Sequence, residues 1–394
     1  MERFRQRPTD DAFVQDPYPH YARMRNAGHL AYWADLDMAC AVSNRAVSRI
    51  LRHKSLGRER PKGVLGPEPQ PHLAIFNELE ANSLLDLEPP RHTRLRRLIT
   101  RAFNSNQVAI YSSDISELVD QLIDTFPHGP FDLVTYFTQK LPVIVIAKLL
   151  GVPISMAPDF LRWSNAMVAL YQSRRDRALE DRAETAAKEF VAFLKDHIAD
   201  HRRRPRHDLL TELIAAHEDG DALSDIELLS TIVLLLNAGH EATVNALGIG
   251  VKLILETDTL ASELQPTNVV RTIDEILRFD APLHMFKRYV YEPVDLFGQR
   301  FMPGDEVACL LAAANRDADV WKDPDVFDPR RPVTTSSAFG GGIHFCVGAP
   351  LARLELQIAL PVLFARIPTL HLTEQPRFAN TWHFRGLERL MVSR

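Results

Sequence analysis

The chain has 394 residues, 46% hydrophobic and 25% charged, with a formal net charge of −5. That composition supports a large folded core and gives no reason to expect a nucleic-acid partner. Three cysteines, Cys40, Cys309 and Cys346, are too few and too scattered for a disulfide framework and suit a reducing cytosol.

The opening stretch, Met-Glu-Arg-Phe-Arg-Gln-Arg-Pro, is polar and lacks the apolar run of a signal peptide or membrane anchor, so a cytoplasmic protein is expected. Length permits two or three domains. No Ser/Gly linker, repeat or low-complexity tract marks a boundary, and one domain over 1–394 is expected. Short strand-like pieces come first, at Leu30–Trp33 and Ala39–Val42. The basic run Arg91-His-Thr-Arg-Leu-Arg-Arg97 follows, in which His92 and Arg96 stand four apart and share one helix face.

Apolar spacing near 3.6 predicts helices over Ile115–Phe126, Phe131–Leu150, Asp159–Leu170, Arg182–His201, Asp208–His217, Asp225–Leu255 and Asn268–Phe279. Ser224 followed by Glu227 reads as a capping box for the longest of these. Its roughly thirty residues would span about 45 Å. Asn237, His240, Glu241, Asn245 and Lys252 interrupt its apolar run, which makes it a buried core helix and not a membrane span. Ala238 and Gly239 are small residues at mid-helix, where glycine costs about 1 kcal/mol of helix propensity. They suit close passage over something flat or tight packing on another helix.

Glu275-Ile-Leu-Arg278 then places opposite charges three apart on one helix face. Strand-like pieces return at Lys287–Tyr291, Val294–Phe297 and Val307–Leu311, with a hairpin turning at Gly298 and at Pro303-Gly304. Last comes Phe339-Gly-Gly-Gly-Ile-His-Phe-Cys-Val-Gly348, which leads into the helix-patterned run Ala349–Leu360. A helix starting just past Cys346 aims free N–H groups and a positive dipole end at the sulfur, favouring thiolate over thiol. Such a thiolate can ligate haem iron. A glycine loop around a buried structural cysteine is the plainer alternative.

Phe339, Gly340, Gly342, His344, Cys346 and Gly348 fill every fixed place of a ten-residue pattern, and the stretch resembles the haem-binding signature of the cytochrome P450 family. The resemblance implies a mainly α fold with a small β-rich subdomain, holding haem b (heme b, iron protoporphyrin IX) between the long central helix and the cysteine-loop helix. It makes Cys346 the metal ligand, with Phe339 and Gly348 in the loop around the cofactor. His92, Arg96, Arg288 and His344 take the propionate-contacting places. Two ionised propionates near an apolar macrocycle need such cationic donors.

Ala238 and Gly239 then belong to the oxygen-binding groove, and Glu241 fills its acid place. The alcohol place holds Ala242, with Thr243 one residue late. One residue is about 100° of helix, so Thr243 does not simply substitute. Ordered water or a substrate hydroxyl would replace the alcohol, or Thr243 would reach in through a local helix distortion, or coupling of oxygen to product would suffer.

Glu275 and Arg278 resemble the family's buried Glu-x-x-Arg pair. Arg331, or else Arg330, would be the arginine that joins it. Asn315, Arg316 and Asp317 read as structural. The implied activity is oxidation of a hydrophobic small molecule by O2, with electrons from a separate ferredoxin and ferredoxin reductase. A peroxide-using haem-thiolate peroxygenase, and a non-catalytic haem sensor or scaffold, are the rival readings. The substrate cavity is expected to draw on Ile75–Leu85, Phe160–Tyr171, Val233, Leu234 and Asn237, with Pro282–Phe286 and Asn380–Phe384 completing it. Ser83, Asn237, His284 and Trp382 would be its sparse polar anchors.

Overall fold

The computed structural model describes residues 1–64, 70–171, 175–218, 221–257, 259 and 261–394. They fall into two compact units built from interleaved stretches: Met1–Val64, Ser113–Thr138 and Ala242–Arg394 form one, and Leu65–Ser112 with Gln139–Glu241 the other.

The first unit holds the sheets. Its six-stranded sheet runs in the order Arg3–Phe4, Leu30–Trp33, Met38–Ala41, Glu306–Leu310, Met285–Val290, Leu56–Gly57. Opposite faces of this sheet feed separate apolar clusters. Cys309 belongs to the one with Val47, Ile50 and Val307, and Cys40 to the one with Tyr21, Trp33 and Ala308. The predicted hairpin is present, with Val294–Leu296 paired to Gln299–Phe301 and Gly298 at φ 76 in the turn. The Val269–Phe279 and Ala349–Arg366 helices are tied by Arg353, whose Nε and Nη2 both donate to Asp274 at 3.1 and 2.9 Å.

The second unit is helical. The Ala157–Val168 and Arg177–Arg203 helices pack through Trp163 stacked on Phe190, with ring centroids 5.1 Å apart. The Leu209–Ala215 helix is capped by Asp208, which accepts from the Thr211 N–H at 2.9 Å and pairs with His201 at 2.9 Å.

One helix runs unbroken from Asp225 to Glu256. The capping box predicted for it is made, since the Ser224 N–H donates to Glu227 at 2.9 Å and the Glu227 N–H returns to Ser224 Oγ at 3.4 Å. Its most apolar stretch is long enough to cross a membrane, but 72% of that stretch is buried within the protein.

The helix predicted over Phe131–Leu150 needs correction. Phe131–Asp132 is a strand, Val134–Thr138 a π-turn, and the α-helix covers only Lys140–Leu149. Phe131 and Asp132 pair with Val392 and Met391. The Asp132 carboxylate accepts the N–H groups of Val134 and Leu390, at 3.0 and 2.9 Å.

Candidate active site

The cysteine loop is shaped by its glycines. Gly340 and Gly342 sit at φ 71 and 69, a left-handed conformation that a Cβ disfavours. A Cβ on Gly342 would lie 2.3 Å from the Leu51 carbonyl oxygen, and one on Gly340 3.0 Å from the Phe286 ring. The loop closes on itself through the Cys346 N–H, which donates to the Phe339 carbonyl at 3.0 Å. Arg353 lies 4.5 Å over the Phe339 ring, so the charge that ties two helices together also seats the start of the loop.

Cys346 is half-buried, and the Ala349–Arg366 helix begins three residues after it with Gly348 as N-cap. A Cβ on Gly348 would stand 3.8 Å from the Cys346 sulfur, in ordinary van der Waals contact. His344 ends the short Gly342–His344 turn and is half-buried. Arg288 is among the largest fully buried side chains, 2% exposed, on a strand paired to Val307.

Behind the loop lies the Glu275 cluster. Arg278 donates to both Glu275 oxygens, at 2.7 and 2.8 Å, and each side chain is 2% exposed. Arg331 donates to the same carboxylate at 3.3 Å, and the Asp328 N–H at 2.9 Å. Arg330 turns instead to Glu263, at 2.9 Å. Arg278 also donates to the Asn315 carbonyl at 3.0 Å, and Asn315 Oδ1 accepts the Ser337 N–H at 2.7 Å. A chain of polar contacts thus runs from Glu275 to the residues that open the cysteine loop. The guanidinium of Arg316 lies between the rings of Tyr18 and Phe279, at 3.5 and 3.7 Å, while Asp317 accepts the Asn44 N–H at 2.7 Å. Both roles are structural.

In the second unit, His92 and Arg96 lie on the Arg91–Ala102 helix, the first buried and the second half-buried. Mid-way along the long helix, Ala238 is exposed and Gly239 and Glu241 are half-buried, although Leu235, Leu236 and His240 beside them are buried. That leaves an open strip mid-way along the helix, beside covered neighbours. Gly239 has a second reason to be small, because a Cβ there would meet Ile146 of the neighbouring helix at 3.2 Å.

In the first unit, Ala242 is half-buried and Thr243 buried. The helix is regular through both, so no distortion carries Thr243 into the place of residue 242. Burial alone lowers the His240 pKa to about 4, which keeps its imidazole neutral near pH 7.

Two polar residues expected at the substrate have other partners. Tyr21 Oη meets His284 Nδ1 at 2.9 Å, and Trp382 Nε1 donates to Tyr21 Oη at 3.1 Å. The neighbouring Arg385 donates to Asp280 at 2.6 Å and to the Val14 carbonyl at 2.8 Å. His284 and Trp382 therefore anchor the chain's first helices. Tyr171, missed among the polar groups, donates to Glu80 at 2.9 Å and joins two of the segments expected at the substrate. Periodicity could not have revealed that pair, since 91 residues separate its members.

The residues present fit haem. Within the first unit, a half-buried sulfur stands just before a helix N-terminus in a closed glycine loop, and the fully buried guanidinium of Arg288 is of the kind that binds a carboxylate.

Comparison with known proteins agrees. The cytochrome P450 family model matches residues 268–383. Cytochrome P450 107B1 of Saccharopolyspora erythraea is 37% identical, with 97% of this chain and 96% of that protein aligned. The cytochrome P450 monooxygenase PikC of Streptomyces venezuelae is 36% identical over 96% of this chain and 91% of its own. Among solved structures, epothilone D-bound cytochrome P450epoK superposes with a TM-score of 0.92 at 28% identity, covering 99% of both chains. The mainly α architecture with its small sheets, the cysteine loop and this end-to-end likeness together make the chain a member of the cytochrome P450 family, a haem b monooxygenase that uses O2 and a redox partner.

Proposed function

We propose that residues 1–394 act as one cytochrome P450 domain that inserts an oxygen atom from O2 into a hydrophobic small organic molecule, with Cys346 as the residue that would ligate the haem iron. The bound cofactor supplies oxygen activation, to which a thiolate ligand contributes electron density. The observation that carries the reading is the Cys346 loop, with its two left-handed glycines, its closed backbone and its helix N-terminus.

His92, Arg96, Arg288 and His344 would hold the propionates, and Phe339 and Gly348 frame the sulfur. Ala238 and Gly239 would let the long helix pass close to the macrocycle. Glu241 belongs to the proton route, and ordered water or a substrate hydroxyl stands where Ala242 lacks an alcohol. The regular helix at 242–243 supports this over a contribution from Thr243. The largely apolar segments around the long helix support an apolar substrate, as does the relative that binds epothilone D.

Electrons come from a ferredoxin and its reductase in the cytoplasm. Ile343 and Phe345, 49% and 39% exposed, lie on the outer side of the cysteine loop, and the Arg52 guanidinium packs on Gly341. An apolar centre beside a cation suits an acidic partner protein. The deciding measurement is the absorption spectrum of the reduced, carbon monoxide-bound protein. The thiolate-type red-shifted Soret band is expected, and its loss in Cys346→Ser. An unshifted band in the unmodified protein overturns the assignment of Cys346.

A further inference from the structure

In the helical unit, three segments meet around one carboxamide. Tyr171 spends its phenolic hydrogen on Glu80 Oε1, at 2.9 Å. The phenol oxygen is left to accept, and although burial and Glu80 raise the phenol's pKa, the Asn237 amide nearby acts to lower it. Asn237 Nδ2 also points at Met167 Sδ, 4.0 Å away. The thioether contact sets the NH2 end of the amide toward Met167, an orientation in which that end can also face the accepting phenol oxygen. The oxygen end is then left over. Asn237 is 4% exposed, and its Oδ1 has no hydrogen-bond partner. A buried acceptor without a donor is uncommon in a native protein and calls for an explanation.

Its position supplies one. Asn237 stands four residues before Glu241 and so shares its helix face, while Ala238 and Gly239 follow it directly in sequence. Its surroundings are otherwise apolar, with Met167 buried and the Phe76 ring 6.3 Å from that of Tyr171. An apolar surface with one unspent acceptor is the pattern of a site that orients its ligand through a single polar group.

We propose that Asn237 Oδ1 is a specificity-determining acceptor for a hydroxyl or N–H group on the substrate, with Tyr171 and Glu80 as positioning residues that hold the amide in that orientation. The substrate is then not a bare hydrocarbon but an apolar skeleton with a hydrogen-bond donor, placed about one helical turn from Glu241. This rests on the reading that the enzyme takes a hydrophobic small molecule.

The test uses holoenzyme and matched probe pairs, each a terpenoid, aryl or macrocyclic alcohol and its methyl ether, with binding measured by calorimetry and by the haem spin-state shift. The alcohol is expected to bind about tenfold tighter than its ether, the worth of one buried hydrogen bond. Asn237→Leu should abolish that preference without lowering the melting temperature, because it removes an unsatisfied acceptor. Tyr171→Phe should narrow the preference by letting the amide turn its NH2 end toward an ether oxygen. Ethers that bind as well as alcohols, or a preference that survives Asn237→Leu, overturn the proposal alone. If no pair binds in either form, the hydrophobic-substrate reading falls, and this inference with it.

Discussion

Arg331 reaches the Glu275 carboxylate at 3.3 Å, while its neighbour Arg330 turns to Glu263 at 2.9 Å. Two adjacent arginines thus serve different buried carboxylates, but the Arg331 side chain is 11% exposed and that of Arg330 62%. Glu275→Ala should strand the Arg278 guanidinium in the interior and cost about 3–5 kcal/mol. The expected outcome is a protein that fails to retain haem, read from the ratio of Soret to protein absorbance. Arg331→Ala should weaken haem retention measurably, whereas Arg330→Ala, whose side chain is 62% exposed, should change stability little.

Glu355 provides a prediction in pH. It is 1% exposed on the helix that follows the cysteine, neither carboxyl oxygen has a hydrogen-bond partner, and burial pushes its pKa well above the ordinary 4.5. The unfolded chain releases this proton above about pH 4.5, while the folded chain keeps it, so the native state binds more protons across that window. Stability should therefore be greatest below the ordinary pKa and fall as pH rises toward the native value. Glu355→Met should flatten that slope and raise the neutral-pH melting temperature, by the equivalent of about 1–3 kcal/mol. Identical pH profiles for the two proteins in thermal unfolding would contradict it.

At the oxygen-binding groove, Ala242→Thr restores an alcohol but fills the space assigned to water or a substrate hydroxyl. Product formed per NADH oxidised should drop severalfold, with the substrate spin-shift titration unchanged. A large gain in coupling would show that alanine is merely tolerated there. Turnover with peroxide but none with reduced ferredoxin would favour the peroxygenase chemistry.

Gly386 lies against the long helix, and a Cβ there would stand 2.0 Å from Asn245 Oδ1. Gly386→Ala should cost at least the 1–3 kcal/mol typical of overpacking, roughly. At Gly298 no atom lies within 4 Å and the strain is only that of φ 76, so Gly298→Ala should cost about 1 kcal/mol. Chemical denaturation of the two variants gives the comparison.

Much of this was legible from residue order because the signals were local. The long helix shows its apolar period and its Ser224–Glu227 cap within one stretch, and the strand Leu30–Trp33 carries its own apolar run. The cysteine loop could be read because its glycines are needed at fixed spacing. What stayed hidden depended on partners far away in sequence. Phe131–Asp132 is a strand only because Met391 and Val392 lie beside it. Arg331 and Arg330 cannot be told apart until the loop places one of them next to Glu275. The partner that His284 and Trp382 share could not be foreseen, since Tyr21 lies 263 and 361 residues from them. Gly239 shows a further limit, since its contact with Ile146 gives it a packing reason that no mid-helix motif discloses.

The close approach of Gly342 to the Leu51 carbonyl has a bearing on how the protein can be cut. The stretch matched by the family model, 268–383, contains the cysteine but neither Leu51 nor Arg52, against which two of the loop's glycines rest. Expressed alone, that stretch would carry the ligand without the surface that shapes its loop. The cysteine's neighbourhood is in this sense written at both ends of the chain.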